Sequence, residues 1–84
     1  MHDSYLMQNI SSAIKEICRR SNLKKVSLIE ISVDKTSHIT EENLLEHLRD
    51  LNREVVDENT KVNVIYENME ELTAIIKKVQ GEEI

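Results

Sequence analysis

The chain has 84 residues, enough for one small domain, and its only cysteine, Cys18, excludes an internal disulfide and an all-cysteine zinc site. No apolar run approaches the ~18 residues of a membrane span, and the first residues lack the pattern of a signal peptide. We therefore expect a soluble cytoplasmic protein with no membrane partner. A net charge of −5, with two tyrosines as the only aromatic residues, argues against nucleic acid as the main partner.

The first predicted element is an amphipathic helix over about residues 3–21. Arg19 and Arg20 near its end suit the negative end of a helix dipole, and Asn22 is a suitable stop. The apolar positions recur at spacings of three, four and one, which places them on one helix face. These positions are Leu6, Met7, Ile10, Ala13, Ile14, Ile17 and Cys18.

The middle of the chain predicts a strand, a helix and a second strand. Residues 25–34 are rich in β-branched side chains; Ile29, Ile31 and Val33 share one face, and Val26 is expected on the other. Thr40 precedes two glutamates, as at a helix N-terminus, and we expect that helix to run to about residue 56. Residues 60–66 then alternate between apolar and polar side chains, which is typical of a half-buried strand.

The last segment predicts a third helix over residues 68–80. Asn68 and Glu71 have the spacing of a capping box. Gly81 follows the last periodic residue, where helices commonly end on a residue of positive φ. The predicted apolar stripe consists of Met69, Leu72, Ile75, Ile76 and Val79.

These elements predict an α+β fold: a small two-layer domain over residues 1–84, in the order α-β-α-β-α, with helices packed on a small sheet. A helix that joins two strands favours a parallel, right-handed crossover. Two strands alone make a poor sheet. Its edges would be covered by a helix or completed by a second subunit.

The chain start, Met1-His2-Asp3, is the first candidate for chemistry. Histidine is too large for ordinary methionine removal, so Met1 is expected to stay and to keep its α-amine. That amine, the following amide nitrogens and the His2 imidazole lie close together through covalent geometry alone. Such a nitrogen-rich set suits square-planar nickel(II) or copper(II). Because binding releases protons, affinity would rise with pH.

This start, followed by an amphipathic helix, resembles the HypA/HybF nickel metallochaperones of hydrogenase maturation, which typically begin Met-His-Glu. The strand at residues 26–33 matches the family's first strand in place and character. Residues 34–44 are similar to the family's glycine-x-x-serine-x-valine loop and the helix after it, and residues 60–66 fall where the family has its second strand. The resemblance covers about residues 1–66.

The resemblance implies a metallochaperone-like role in hydrogenase or urease nickel-site maturation. Family members hold nickel at the N-terminus and deliver it with a partner GTPase. His2 matches the ligand that gives its imidazole and backbone amide, and Met1 matches the retained amine. Asp3 occupies the acid position, whose amide can also bind the metal. Nickel(II) held by these three residues is therefore the expected metal site.

The sequence also departs from the family. Family members continue into a zinc domain with two Cys-x-x-Cys pairs and then a final strand; with one cysteine here, we expect no structural zinc. The predicted third helix stands in place of that strand. Asp3 replaces the usual glutamate, and Asp34 stands where the family often has glycine.

Other candidate residues have simpler interpretations. Cys18 lies on the apolar stripe and is expected to be a buried structural thiol. His38 is expected in a solvated loop, and His47 is expected to be partly buried at the edge of a helix stripe. A basic cluster is expected to be a solvated surface, with an acidic protein partner as the alternative. This cluster consists of Arg19, Arg20, Lys24 and Lys25.

The sequence lacks a Ser/His/Asp order, a glycine-rich phosphate loop and a paired-carboxylate cleft. We therefore do not expect an enzyme. The alternative to nickel binding is a metal-independent protein–protein interaction module on the same scaffold, acting as an adaptor or as a homodimer. Such a homodimer would be joined along a strand edge or along the third helix.

Overall fold

A computed structural model describes residues 3–84, with side chains from residue 5 onward. The elements follow the order α-β-α-β-β, which confirms the expected small α+β fold. Asn22, with φ of 55°, ends the first helix as predicted. The elements are α1 (Asp3–Ser21), β1 (Leu23–Asp34), α2 (Glu41–Leu51), β2 (Lys61–Glu67) and β3 (Ala74–Glu83).

The three strands form one mixed sheet in the order β2-β1-β3. β1 and β2 are parallel, with Leu28 opposite Lys61, and α2 makes the predicted crossover between them. β3 runs antiparallel to β1, with Val33 opposite Ala74. The chain therefore supplies the sheet with a third strand of its own.

The core lies between the helices and one face of the sheet. Ile29, Ile31 and Val33 are fully buried on this face, as their alternation predicts. Leu44 and Leu48 of α2 are also fully buried. The predicted stripe of α1 contributes four more apolar side chains and the Cys18 thiol. These residues are Leu6, Met7, Ile10, Ile14 and Cys18. Within residues 3–84, neither helix is long and apolar enough to cross a membrane.

The predicted third helix over residues 68–80 is wrong, because the segment forms a turn and then β3. Leu72 adopts a φ of 59° in the turn. A β-bulge at Lys77 explains the misleading periodicity: Ile76 lies opposite Ile31 and Val79 opposite Ile29, so two residues three apart share one face. That spacing imitates a helix, although isoleucine and valine favour strands.

The prediction that Gly81 ends a helix with positive φ is also wrong. Gly81 lies in β3 opposite Val26 and has no positive φ. A Cβ atom built at Gly81 would lie 1.9 Å from the carbonyl oxygen of Lys25. Glycine is needed here because two backbones approach closely.

Two further expectations need correction. α2 ends at Leu51 rather than near residue 56, because the N–H of Asn52 donates to the Leu48 carbonyl and a turn follows. Val26 lies in the core rather than on the face of Leu28, since the β1–β3 register shifts between these two residues.

Candidate functional site

Of the predicted nickel ligands, only Asp3 belongs to α1. Met1 and His2 are outside the described residues, and Asp3 is described only as the first helical residue. The next turn is firmly anchored, because Leu6 and Met7 are buried in the core. Asp3, which follows His2 in the sequence, is therefore the first residue of a helix whose next turn is packed into the core.

The first turn of α1 leaves backbone N–H groups without intrahelical acceptors. The amide of Asp3 belongs to this set, since Asp3 opens the helix. Amides without acceptors are more accessible to a metal than amides inside a helix. The backbone at Asp3 is therefore compatible with the ligand position that the sequence predicts.

The remaining potential ligands form no cluster. Among residues 3–84, no group of three histidine, cysteine, aspartate or glutamate side chains is arranged to hold a metal. His38 lies exposed in the loop after β1, and His47 is half-buried on α2, each as the sequence predicts. This result does not test the predicted site, two of whose three residues lie outside the range.

The loop that carries His38 is built around Asp34 and Tyr66. The Asp34 carboxylate accepts hydrogen bonds from the Thr36 hydroxyl and from the Thr36 N–H, the latter at 3.3 Å. Ile39 is fully buried, and its carbonyl oxygen accepts a 2.5 Å hydrogen bond from the Tyr66 hydroxyl. Asp34 therefore stabilises the turn through its side chain.

Cys18 is buried, as predicted, with 5% of its surface exposed. Burial raises the pKa of the thiol, because the charged thiolate loses its hydration. A protonated, enclosed thiol is a poor nucleophile and a poor metal ligand. Its place in the core supports a packing role.

The basic cluster is partly neutralised within the chain. Arg19 pairs with Glu16 at 2.6 Å, and Lys25 pairs with Asp57 at 2.7 Å. The hydrogen bond from Lys25, followed by backbone N–H donors, lowers the pKa of the Asp57 carboxyl. These contacts favour a solvated surface over a continuous basic patch.

One exposed apolar surface that the sequence did not indicate is the sheet face opposite the helices. Ile65 of β2, Ser32 of β1 and Ile75 of β3 form one row across this face. The two isoleucines are 38% and 48% exposed, whereas Ser32 is fully buried and its hydroxyl has no hydrogen-bond partner within the described chain. Sequence reasoning missed this row because it assigned Ile75 to a helix stripe.

Comparison with protein-family models and with curated proteins gave no match to this chain.

Proposed function

We propose that the protein binds nickel(II) at its N-terminus as a HypA-like metallochaperone. The observation that carries the proposal is the Met1-His2-Asp3 sequence at the head of a helix anchored in the core. The α-amine, the adjoining amides and the imidazole would supply a compact nitrogen set. Nickel is cargo in this role.

The order of elements gives secondary support. The family's final strand follows its zinc domain, and here β3 follows β2 after the short connection 68–73. The sequence predicted a helix where the family has its final strand. Because β3 is a strand, this difference from the family no longer stands. A HypA-like scaffold with a turn in place of the zinc domain agrees with this arrangement.

The proposal extends to partners and location by resemblance. Nickel would pass to a maturation GTPase, or directly to assembly proteins of hydrogenase or urease. The proposed location is therefore the cytoplasm. Pull-down with the purified GTPase, with and without nickel, tests the first step; the proposal expects capture to depend on nickel.

Isothermal calorimetry with nickel(II) tests the site. The wild-type chain, with Met1 verified by intact mass, should bind one equivalent, and His2→Ala should lose stoichiometric binding. His38→Ala is the matched control and should bind like the wild type. Equal titration of wild type and His2→Ala would overturn the proposal.

A second variant tests the α-amine separately. A glycine-serine extension before Met1 keeps every side chain but moves the amine away from His2. The extended protein should lose most of its nickel affinity and its square-planar absorption. Unchanged binding would mean that the metal does not use the amine.

A second candidate function is a metal-independent adaptor, favoured by the apolar row of Ile65 and Ile75 on the open sheet face. Exposed apolar patches commonly mark protein-binding surfaces. An Ile65→Asp and Ile75→Asp double variant should then lose a protein partner while keeping its nickel titration. A double variant that keeps the protein partners of the wild type would contradict the adaptor function.

A further inference from the structure

The two edges of the sheet differ in how far other parts of the chain cover them. At the β2 edge, the N–H of Val64 donates to the Glu41 carboxylate at 3.1 Å. The Tyr66 hydroxyl reaches the carbonyl oxygen of Ile39, which fixes the loop before α2 beside this strand. Side chains near the start of α2 therefore occupy the β2 edge and hinder addition of another strand.

The β3 edge is open. β3 pairs with β1 on one side, and no other strand of the described chain lies along its second side. The strand is ten residues long, and its central part is mostly exposed. An open strand edge presents unpaired N–H and C=O groups that can extend a sheet into a second molecule.

We propose that β3 pairs antiparallel with β3 of a second copy of this chain, with Gln80 opposite Gln80 across the two-fold axis. The result is a homodimer with one continuous six-stranded sheet. A two-fold axis requires the same strand segment from both subunits, so the segment must be complementary to itself.

The charges of β3 meet this requirement. Pairing at Gln80 places Lys78 opposite Glu82 of the second copy, and the symmetry makes this ion pair twice. Val79 lies opposite Gly81, which has no side chain to obstruct it. The same register brings the backbone of Lys77 alongside that of Glu83 of the second copy. Opposite charges across antiparallel strands are stabilising.

Neighbouring registers lose these pairs. Residues directly opposite each other in an antiparallel pair lie on the same face, so a symmetric pairing can shift only by two residues at a time. Pairing centred on Val79 places Lys78 opposite Gln80, and pairing centred on Gly81 places Lys78 opposite Ile84. The charge pattern therefore selects the register centred on Gln80.

The ion pairs of the described residues involve neither Lys78 nor Glu82. Lys25, the β1 residue opposite Glu82, already holds Asp57 at 2.7 Å. Lys77 lies 4.0 Å from Glu67, the outer limit of an ion pair. Within the described part of the chain, Lys78 and Glu82 therefore need break no short ion pair to reach a second copy.

Sedimentation velocity from about 1 µM to about 1 mM tests the proposal on the metal-free chain. The wild type should show a concentration-dependent dimer. Glu82→Lys should weaken dimerisation at least about ten-fold, because each interface then opposes two pairs of lysines. The double variant Lys78→Glu, Glu82→Lys restores opposite charges and should return the dissociation constant to within about three-fold of the wild type.

Glu70→Lys is the control, since it makes the same charge change in the 68–73 connection, away from the strand. It should dimerise like the wild type. A wild type that stays monomeric throughout, or a double variant as weak as Glu82→Lys, would overturn the proposal. Circular dichroism on each variant separates loss of the dimer from loss of the fold.

Amide hydrogen exchange adds a readout specific to the strand. The β3 amides that point away from β1 should exchange more slowly at high protein concentration, while those of β2 stay unchanged. Equal protection at all concentrations would contradict the interface. The proposal is independent of nickel binding: His2→Ala should keep the dimer, so failure of either proposal leaves the other intact.

Discussion

Ser11 of α1 and Asn52 at the end of α2 form a reciprocal pair of buried hydrogen bonds. The Ser11 hydroxyl donates to the Asn52 side-chain oxygen at 2.5 Å, and the Asn52 side-chain N–H₂ donates to the Ser11 carbonyl oxygen at 3.1 Å. Asn52 is fully buried, and its own carbonyl accepts from Val55 and Val56. One residue therefore ends α2 and fixes the next turn through its backbone, and joins the two helices through its side chain.

Asn52→Ala should lower the free energy of unfolding by about 2–3 kcal/mol, because it removes two buried hydrogen bonds and leaves the Ser11 hydroxyl without its acceptor. Urea denaturation measures the change. Asn63→Ala is the matched control, an exposed asparagine on β2, and should change stability by less than about 0.5 kcal/mol. Equal effects of the two substitutions would contradict a stabilising role for the pair.

Gly81→Ala should destabilise the fold by about 1–3 kcal/mol, because the new methyl group collides with the Lys25 carbonyl and β3 must move away from β1. Thermal unfolding at low protein concentration measures this effect without dimerisation. Glu83→Ala, exposed on the same strand, should leave the midpoint nearly unchanged. A Gly81→Ala midpoint equal to that of the wild type would refute the close approach.

The Asp57–Lys25 ion pair predicts that the free energy of unfolding decreases at acidic pH, which gives the stability curve an acid limb. The Lys25 hydrogen bond lowers the pKa of the folded Asp57 carboxyl, so the unfolded state binds its proton first. The contribution of Asp57 is therefore present above about pH 4 and is lost as the pH falls through the lowered pKa. Asp57→Asn should flatten this limb in urea melts between about pH 5 and pH 2.5.

Glu16 contributes to the same limb, because the hydrogen bond from Arg19 lowers the pKa of its carboxyl. Asp57→Asn should therefore remove only part of the pH dependence, and adding Glu16→Gln should remove more. Unchanged acid sensitivity in the double variant would show that neither pair contributes to stability.

Cys18 should react slowly with iodoacetamide in the native protein. Burial limits access of iodoacetamide to the thiol and raises the pKa of the thiol, so the reactive thiolate is both scarce and enclosed. We expect alkylation at least about ten-fold slower than in urea-unfolded protein at the same pH. Mass spectrometry measures the rate; equal rates in the two states would contradict the burial of Cys18.

Much of the fold follows from local patterns in the sequence. The stripe of α1 and the alternation of Ile29, Ile31 and Val33 each repeat with the period of one structure, so both elements were predictable. β3 was not, because the bulge at Lys77 replaces the strand period with a spacing of three between Ile76 and Val79. The Ser11–Asn52 pair carries no periodic signal, since its members lie 41 residues apart.

The candidate site was predictable in a different way. His2 and the chain start were found from covalent chemistry and a family resemblance, and they remain a prediction because Met1 and His2 lie outside the described residues. The open β3 edge could not be found from the sequence, because an edge exists only once the strand order is known. The charge pattern of Lys78 and Glu82 acquires meaning only as part of a strand.

The central position of β1 has a kinetic consequence. Both neighbouring strands are distant from β1 in the sequence, at residues 61–67 and 74–83. The hydrogen bonds on either side of β1 therefore cannot form from local contacts. Closing such long loops before the ladder stabilises them slows folding. Stopped-flow refolding should therefore be slower than in helical proteins of this size, and the apolar side chains of β1 should remain open to aggregation until β3 docks.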